Sequence, residues 1–549
     1  MAINLFGTDG IRGKVNLGVA DEAAAIDRLI SQREISPPIY RLIGEALGHS
    51  CEVAGNGKSI VVIGWDNRPA NPILAQHLTI GLNIAGFEVH HIGVCATPGL
   101  HFATLSKGAE FGCMITASHN PIEDSGLKIF TKFGFKTLPK LETELSNNAI
   151  SLSQEDREVD DIEQVKLAIP YSTEKAVDWS SINHSKWLNQ RYQGLAKLIG
   201  TSLSAVKNFH QPLLIDSSQG SGKSWLAAWL TQQGLSATEI SNSAPALNKN
   251  CGAGDLSPTQ EWTFAEANAS SHELIRRLPN CPAGTIVGAA LDGDGDRCLL
   301  IESTSTGFQV IDGDEIADTL VNCLTNSGHE CHLAASIESD LSLTTGLERF
   351  AMPVKVSETA VGDRWLAAKL SNNQFNDYLR DQSFPKLVGV EDSGHVVLAS
   401  PHPKLTGCWS LVGDGAMTLV AYLLSTTKSQ PAAKMQRGWK CRQSVSNVDR
   451  SKWDGKNQLS DLIERTFHAT LSEVFTIDGW LRGGIPGESN LMLITCQISG
   501  FKLSLGVRNS GTQEKISVSA RLALGSDISG VKSSVDAVCK ILEEQMTTR

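Results

Sequence analysis

Ile60-Val61-Val62-Ile63, the loop Trp65-Asp66-Asn67-Arg68-Pro69 and a helical pattern running on to Leu82 make one strand-loop-helix unit. Apolar residues in succession, with no polar alternation, predict a strand covered on both faces. The unit recurs. Leu213 to Ile215 begins a second copy, with a helix expected from about Lys223 to Gln233 and a further strand at Ile286 to Leu291. Leu333-Ala334-Ala335 begins a third, which continues past Leu347 to Val354-Lys355-Val356 and Val388 to Val390. Buried strands alternating with helices predict mixed or parallel sheets covered by helices. Past about Lys428 the texture changes to a Ser/Gln/Pro/Ala stretch, strand-like runs at Leu491 to Thr495 and Leu503 to Val507, and a closing helix. That part reads as a separate α+β domain. Between about Asn148 and Asp178, with an acidic run at 153–164, the chain reads as a solvated surface connection or exposed helix.

Composition bounds the function. With 549 residues the chain exceeds one compact core and predicts three to five domains. Its hydrophobic (41%) and charged (19%) fractions are those of a globular protein, and a net charge of −11 argues against nucleic acid or an anionic membrane as the main partner. Twelve cysteines are scattered without a C-x-x-C pair or zinc spacing, so they read as reduced thiols. The N-terminal MAINLFGTDGIRG lacks the features of a secretion signal, and the most apolar run, near Leu411 to Leu424, is broken by Gly413-Asp414-Gly415. The expected location is the cytoplasm.

Three loops carry the chemistry. Thr116-Ala117-Ser118-His119-Asn120-Pro121 follows the strand-like Gly112 to Ile115 and exposes a serine among small residues, with Lys128 in loop reach. Taken alone, such a cluster marks only a turn. Asp292-Gly293-Asp294-Gly295-Asp296-Arg297 ends the strand Ile286 to Leu291. Carboxylates at i, i+2 and i+4 of an extended segment project to one side, and three anions so close call for a hard, oxygen-seeking cation. A calcium EF-hand is excluded because its sixth position is Arg297 and its twelfth is Ser303. Arg508-Asn509-Ser510-Gly511-Thr512 offers a guanidinium, hydroxyls and backbone N–H groups to a phosphate. Gly220-Ser221-Gly222-Lys223-Ser224 imitates a nucleotide-binding P-loop, but Ser217 stands where the first glycine belongs. It reads as a tight turn with Lys223 opening the helix.

In this order the loops resemble the α-D-phosphohexomutase superfamily. The resemblance runs from Phe6-Gly7-Thr8-Asp9-Gly10-Ile11-Arg12-Gly13 through the serine and aspartate loops, Val361-Gly362-Asp363-Arg364 and Gly389-Val390-Glu391-Asp392-Ser393-Gly394-His395, to Arg508–Thr512. It implies three related mixed α/β domains and a C-terminal α+β domain around a central cleft. The expected divisions are 1–180, 181–303, 304–430 and 431–549. The resemblance also implies that Ser118 is phosphorylated and that Asp292, Asp294 and Asp296 bind Mg²⁺ with it. Arg12 and Lys128 would flank the phosphoryl group; His119 is open to two roles, proton transfer or ordering of the loop. Arg297, Asp363, Arg364, Glu391, Ser393 and His395 would hold the sugar. Arg508, Ser510, Gly511 and Thr512 would hold the phosphate that is not reacting, on a domain suited to act as a lid.

The implied reaction interconverts hexose 6-phosphate and hexose 1-phosphate, with a sugar bisphosphate as intermediate and activator. Gly362-Asp363-Arg364 and the opening FGTDGIRG resemble phosphoglucosamine mutases, whereas phosphomannomutase/phosphoglucomutase enzymes usually carry Gly-His-Ser at the former place. The chain is also longer than the family's usual size by about a hundred residues. Extra length falls near Ser371 to Lys386 and near Pro401 to Ser410, the latter next to the sugar loop in sequence. Gln513, Glu514 and Ser517 depart from the family's Glu-Pro and second arginine, with Lys515 or Arg521 as candidate replacements. The rival readings are a non-catalytic phosphosugar sensor and a nucleotide-dependent kinase using Lys223.

Overall fold

The computed structural model describes residues 4–50, 59–155, 165–174, 179–206, 212–428, 435–510, 514–523 and 528–547. The described strands form four sheets. In the first, β1 (Ile11–Val15), β2 (Glu34–Ile35), β3 (Ile60–Trp65), β4 (Glu88–Val94), β5 (Phe111–Ile115), β6 (Asp124–Thr131) and β7 (Ser172–Thr173) run in the order β2-β1-β6-β5-β3-β4-β7. The second comprises β8 (Leu213–Asp216), β9 (Ala237–Glu239), β10 (Glu261–Thr263), β11 (Ile286–Leu291), β12 (Cys298–Ser303) and β13 (Gly307–Ile311), in the order β10-β13-β12-β11-β8-β9. The third comprises β14 (Cys331–Ser336), β15 (Val354–Thr359), β16 (Leu379–Arg380), β17 (Leu387–Val390), β18 (Val396–Pro401) and β19 (Cys408–Gly413), in the order β15-β14-β17-β18-β19-β16.

These three sheets share one plan. A first strand (β3, β8, β14) lies parallel between its successor (β4, β9, β15) and a later strand (β5, β11, β17). The later strand turns back antiparallel as β6, β12 or β18. The turn of that hairpin lies at the carboxyl end of the parallel strands, the place where open α/β sheets bind ligands.

The fourth sheet is antiparallel throughout: β20 (Trp439–Ser446), β21 (Ile477–Gly483), β22 (Met492–Ile498), β23 (Phe501–Asn509) and β24 (Lys515–Leu522), in the order β20-β24-β23-β22-β21. One of its faces buries Ile494, Leu505, Val518 and Leu522 against helices Gln458–Ser472 and Ile528–Met546. The chain is thus three related α/β units and an α+β unit.

Several local expectations shift. A division after residue 303 would cut the second sheet, because Gly307–Ile311 pairs with β12; hairpin pairing carries that unit on to Ile311. Helix Ser185–Ile199 lies on the third unit as well as the second, through Arg191, which donates to Asp414 and to the Ala399 carbonyl. The helix after β8 begins at Leu226, not Lys223, since the glycine turn occupies 217–225. The two extra segments meet each other: β16 pairs with β19, and Tyr378 and Phe375 meet Phe133 and Phe135 of the first unit edge to face. Pro401 to Ser410 therefore lies at the far end of β18 from the sugar loop. Most of the acidic run at 153–164 lies outside the described residues. Among the described residues, no helix is long and apolar enough to cross a membrane, and the cysteines are free thiols.

Candidate active site

The hairpin turns of the three α/β sheets carry Ser118, Asp292–Arg297 and Glu391–His395. Ser118 Oγ donates to Asp292 Oδ2 at 2.5 Å, so the serine and aspartate loops meet across units. Ser118 is buried and adopts φ 54°, a left-handed conformation that costs a non-glycine residue on the order of 1 kcal/mol. The surroundings enforce it. Thr116 Oγ1 accepts from Ser118 N at 2.8 Å. Arg68, at the end of β3, donates to the carbonyls of Ser118 (3.0 Å), Asn120 (2.9 Å), Asp124 (2.8 Å) and Pro121, while its Nε reaches Asp66 at 3.1 Å. Asn248 Nδ2, from the second unit, donates to the same Ser118 and Asn120 carbonyls at 2.7 and 2.9 Å. Neither Arg68 nor Asn248 was singled out from sequence. Arg68 sat visibly in a strand-end loop; Asn248 carried no signal.

Carboxylate oxygens of Asp292, Asp294 and Asp296 lie within 4.8 Å of one another, all buried. Lys128 Nζ donates to Asp294 and Asp296 at 2.7 Å each and lies 3.3 Å from Asp9. Burial opposes its charge, but these carboxylates hold the ammonium well above its ordinary range. Thr97 Oγ1 caps Asp294 Oδ2 at 2.5 Å. Burial, then Asp296 and Asp294, push the Asp292 carboxyl up to about 7. One lysine therefore leaves the cluster short of positive charge. Asp294 Oδ1 and Asp296 Oδ1 are buried without a hydrogen-bond partner. Buried, unpaired carboxylate oxygens facing one another fit a hard divalent cation.

Beside this cluster opens a cavity of about 440 Å³, lined by Thr8, Asp9, Arg12, His119, Arg297, Asp363, Glu391 and His395 among others. Arg12 pairs with Asp9 at 2.9 Å. Arg297, burial notwithstanding, is held in its charged form by Asp292 and Asp296. The Arg297 guanidinium, then burial, then Arg12 hold the His119 imidazole down to about 3. His395 is the reverse case. Burial disfavours its charge, yet Asp296, Asp363 and Glu391 raise it to about 10. Glu391 Oε1 accepts from Gly362 N at 2.7 Å, and Ser393 is half-buried in the same turn.

Two expected sugar contacts line the cleft and also bridge units. Asp363 accepts from Lys136, which also reaches Asp9, both at 2.8 Å. Arg364 pairs with Glu142 at 2.5 Å and reaches the Gly7 carbonyl at 3.3 Å. Both side chains tie the third unit to the first. Arg508 does not line the 440 Å³ cavity: it donates to Glu488 (2.8 Å) and Glu338 (2.9 Å). Ser510 N bonds to the Lys515 carbonyl at 2.8 Å, while Gly511 and Thr512 lie outside the described residues. A neighbouring cavity of about 1040 Å³ shares Gly7, Thr8 and Val361 with the first and is also lined by Arg364 and by residues 483–489 of the fourth unit. Together the two make a cleft walled by all four units. The turn at Gly220–Lys223 supports this site: Ser221 N donates to the Gly293 carbonyl at 3.0 Å, and Gly220 lies flat against Gly293.

Comparison with known proteins places this fold in a family. Residues 4–156 match the family described as phosphoglucomutase/phosphomannomutase, alpha/beta/alpha domain I, and residues 312–440 match its domain III. The phosphoglucosamine mutase of Frankia casuarinae is 26% identical over 471 residues, covering 83% of this chain and 87% of that one. Among solved structures, the Paramecium phosphoglucomutase pp63/parafusin in its open form aligns with a TM-score of 0.63 at 14% identity, over 99% of this chain and 96% of that one. A phosphoglucomutase/phosphomannomutase family protein of Burkholderia thailandensis aligns with a TM-score of 0.59 at 17% identity, over 98% and 97%. These structural likenesses show the fold.

Proposed function

The chain belongs to the phosphoglucomutase/phosphomannomutase family, the phosphohexomutases of the isomerase class, and on that premise we propose that it interconverts glucosamine 6-phosphate and glucosamine 1-phosphate through a phosphoserine at Ser118. The observation that carries this reading is the hydrogen bond from Ser118 Oγ to Asp292. It sets the serine hydroxyl against the buried carboxylate cluster, while the Thr116 hydroxyl is turned to Asp66. Asp292, Asp294 and Asp296, with Ser118, are the residues that would hold Mg²⁺. Bound there, the ion would neutralise phosphoryl oxygens.

Phosphoryl transfer needs positioning and charge neutralisation more than covalent help. A sugar hydroxyl oxygen forms the new P–O bond as the P–Oγ bond to Ser118 breaks, and the serine oxygen regains the proton that the hydroxyl loses. Arg12 and Arg297 face the cavity where the transferring group would sit. Lys128 keeps Asp294 and Asp296 charged. His119 lines the same cavity, and its buried Nδ1 has no hydrogen-bond partner. The sugar bisphosphate must then present its other phosphate to Ser118, and the continuous cleft gives it room to turn.

The substrate choice is supported by the phosphoglucosamine mutase relatives and by Gly362-Asp363-Arg364. A coupled assay of glucosamine, mannose and glucose 6-phosphates, primed with a bisphosphate, tests it. Turnover should be fastest with glucosamine 6-phosphate, and Ser118→Ala should abolish both turnover and protein-bound phosphate. A Ser118→Ala variant that still turns over would remove the mechanism.

A further inference from the structure

Lys136 owes its place to a hairpin. After β6 the chain turns at Phe133-Gly134-Phe135, where Gly134 N donates to the Thr131 carbonyl at 2.8 Å and Thr131 N to the Phe135 carbonyl at 2.9 Å. Gly134 takes φ 77°, a conformation that costs glycine nothing in sterics. Lys136 then stands opposite Phe130 on β6. Cross-strand partners point the same way, as do residues two apart on one strand, so Lys136 and Lys128 project to one side. Both reach Asp9: Lys128 lies 3.3 Å from Oδ2 and Lys136 2.8 Å from Oδ1.

Lys136 is a middle member of a row of charges that alternates in sign. Arg12 Nη2 lies 2.9 Å from Asp9 Oδ2, and Lys136 Nζ lies 2.8 Å from both Asp9 Oδ1 and Asp363 Oδ1. Asp363 Oδ2 lies 3.4 Å from His395 Nε2, and His395 Nδ1 lies 3.5 Å from Glu391 Oε2. Arg12, Asp9 and Lys136 belong to the first unit, the other three to the third. Burial disfavours the Lys136 charge, but Asp363 and then Asp9 hold the ammonium above its ordinary range. Five of the six line the cavity of about 440 Å³; Lys136 is buried and does not, so it acts on a ligand there only through its two carboxylates.

We propose that Lys136 is a positioning residue for phosphoryl transfer: through Asp9 and Asp363 it locks the wall carrying Arg12 and Lys128 to the wall carrying His395 and Glu391, and so sets the register between the reacting phosphoryl group and the sugar. The proposal rests on the mutase reading for the reaction. In-line transfer requires the attacking hydroxyl and the phosphorus at near-attack distance, and on that reading the two are held by different units. Lys136 adds no contact to either; it decides where the two walls stand. Arg364, paired with Glu142 and 3.3 Å from the Thr137 carbonyl, keeps the first and third units docked when Lys136 is lost. What goes is the register. Asp9 and Asp363, no longer sharing a cation, repel, and each wall relaxes on its own. Ground-state contacts survive on each wall while their alignment does not, so the loss falls on kcat and not on affinity.

Full-length Lys136→Met is compared with wild type on glucosamine 6-phosphate with a bisphosphate primer. Its kcat is expected to fall about a hundredfold, the order for a misplacement of about 1 Å. Calorimetric affinities for glucosamine 6-phosphate, taken in Ser118→Ala with and without Lys136→Met so that no turnover intervenes, should agree within about threefold. Deuterium exchange should quicken in both 8–13 and 361–366, and helix Gln458–Ser472 should exchange as in wild type, which shows the fold kept. If Lys136→Met does not fold, Lys136→Gln, whose amide still donates to one carboxylate, carries the same test. A kcat within about threefold of wild type, or an affinity loss that accounts for the whole fall in kcat/KM, overturns the proposal. Wild-type protein that turns over none of glucosamine, mannose and glucose 6-phosphates sinks the mutase reading instead. The tie is then decided by exchange: quickening on both sides upholds it, and unchanged exchange on either side overturns it.

Discussion

Arg68 is the clearest case of a residue that acts on the chemistry without touching it. Its guanidinium spans four main-chain carbonyls of the serine loop and one buried carboxylate, and its side chain is 1% exposed. Arg68→Ala strips those carbonyls of the guanidinium and leaves Asp66 with Thr116, Asn71 and the main-chain N–H of residue 68. Counting four charge-assisted bonds at about 1.5–3 kcal/mol each would give roughly 6–12 kcal/mol. That sum is too large. Pro121 is exposed and Asn120 and Asp124 are half-buried, so water replaces the donor there, and the Ser118 carbonyl keeps Asn248. What remains is the broken buried pair with Asp66, about 3–5 kcal/mol.

That loss should appear locally. Amides of the 116–124 segment are expected to exchange with deuterium about two orders of magnitude faster, as a loss of about 3 kcal/mol requires. Ser118 would relax from its left-handed φ, carrying Oγ away from Asp292. A displacement of about 1 Å at a reacting atom costs on the order of a hundredfold in rate. Arg68→Lys keeps a charge for Asp66 but cannot span the carbonyls, so it should retain part of the protection and little of the turnover. Unchanged exchange across the loop together with near-normal turnover in Arg68→Ala would refute the clamp.

Two further expectations follow from buried groups. His91, His101 and His184 are held neutral by burial, at about 4, 3 and 4. At these three positions the unfolded chain takes up protons as pH falls below about 6.5 while the folded one does not, so the stability they contribute is present above that pH and lost on acidification towards 4. Each histidine contributes up to about 1.4 kcal/mol per pH unit over that window. Denaturant titrations at pH 7.5, 6.5 and 5.5 should show His101→Gln removing up to about 1.4 kcal/mol per pH unit of acid-dependent loss below pH 6.5; an unaltered slope would dismiss burial as its cause. Gly220→Ala should weaken Mg²⁺-induced stabilisation about tenfold, because a Cβ there collides with the Gly293 carbonyl and shifts the aspartate loop. Equal thermal shifts with Mg²⁺ in both proteins would contradict this.

The sequence made the strands and the reactive loops legible because both are local. An apolar run such as Ile60–Ile63 has to be covered on both faces, and Asp292, Asp294 and Asp296 repel one another wherever they lie. Arg68 and Lys136 were harder to read because their partners are distant. Arg68 serves a loop some fifty positions on, and Lys136 bridges Asp9 and Asp363. Asp363 and Arg364 show a second kind of distant partner: polar residues in a recognisable motif that line the cleft and also tie units together.

The false P-loop shows why topology decides such cases. Asp66–Arg68, Ser217–Lys223 and Ser336–Asp340 all follow the first parallel strand of their sheets, next to the hairpin turn of the same sheet. In the first unit that loop grips the serine turn through Arg68. In the second it supports the aspartate turn through Ser221 and Gly220, so its glycines answer to the Gly293 backbone and not to a nucleotide. In the third it contributes Glu338, facing Arg442 and Arg508. In the first two copies this position thus supports the neighbouring hairpin turn, and a glycine-rich sequence there is accounted for by backbone approach alone. Lys223 fits this account: it lies in the turn with Gln219 Oε1 at 3.4 Å, three residues short of the helix it would need to open if it were to hold a nucleotide phosphate.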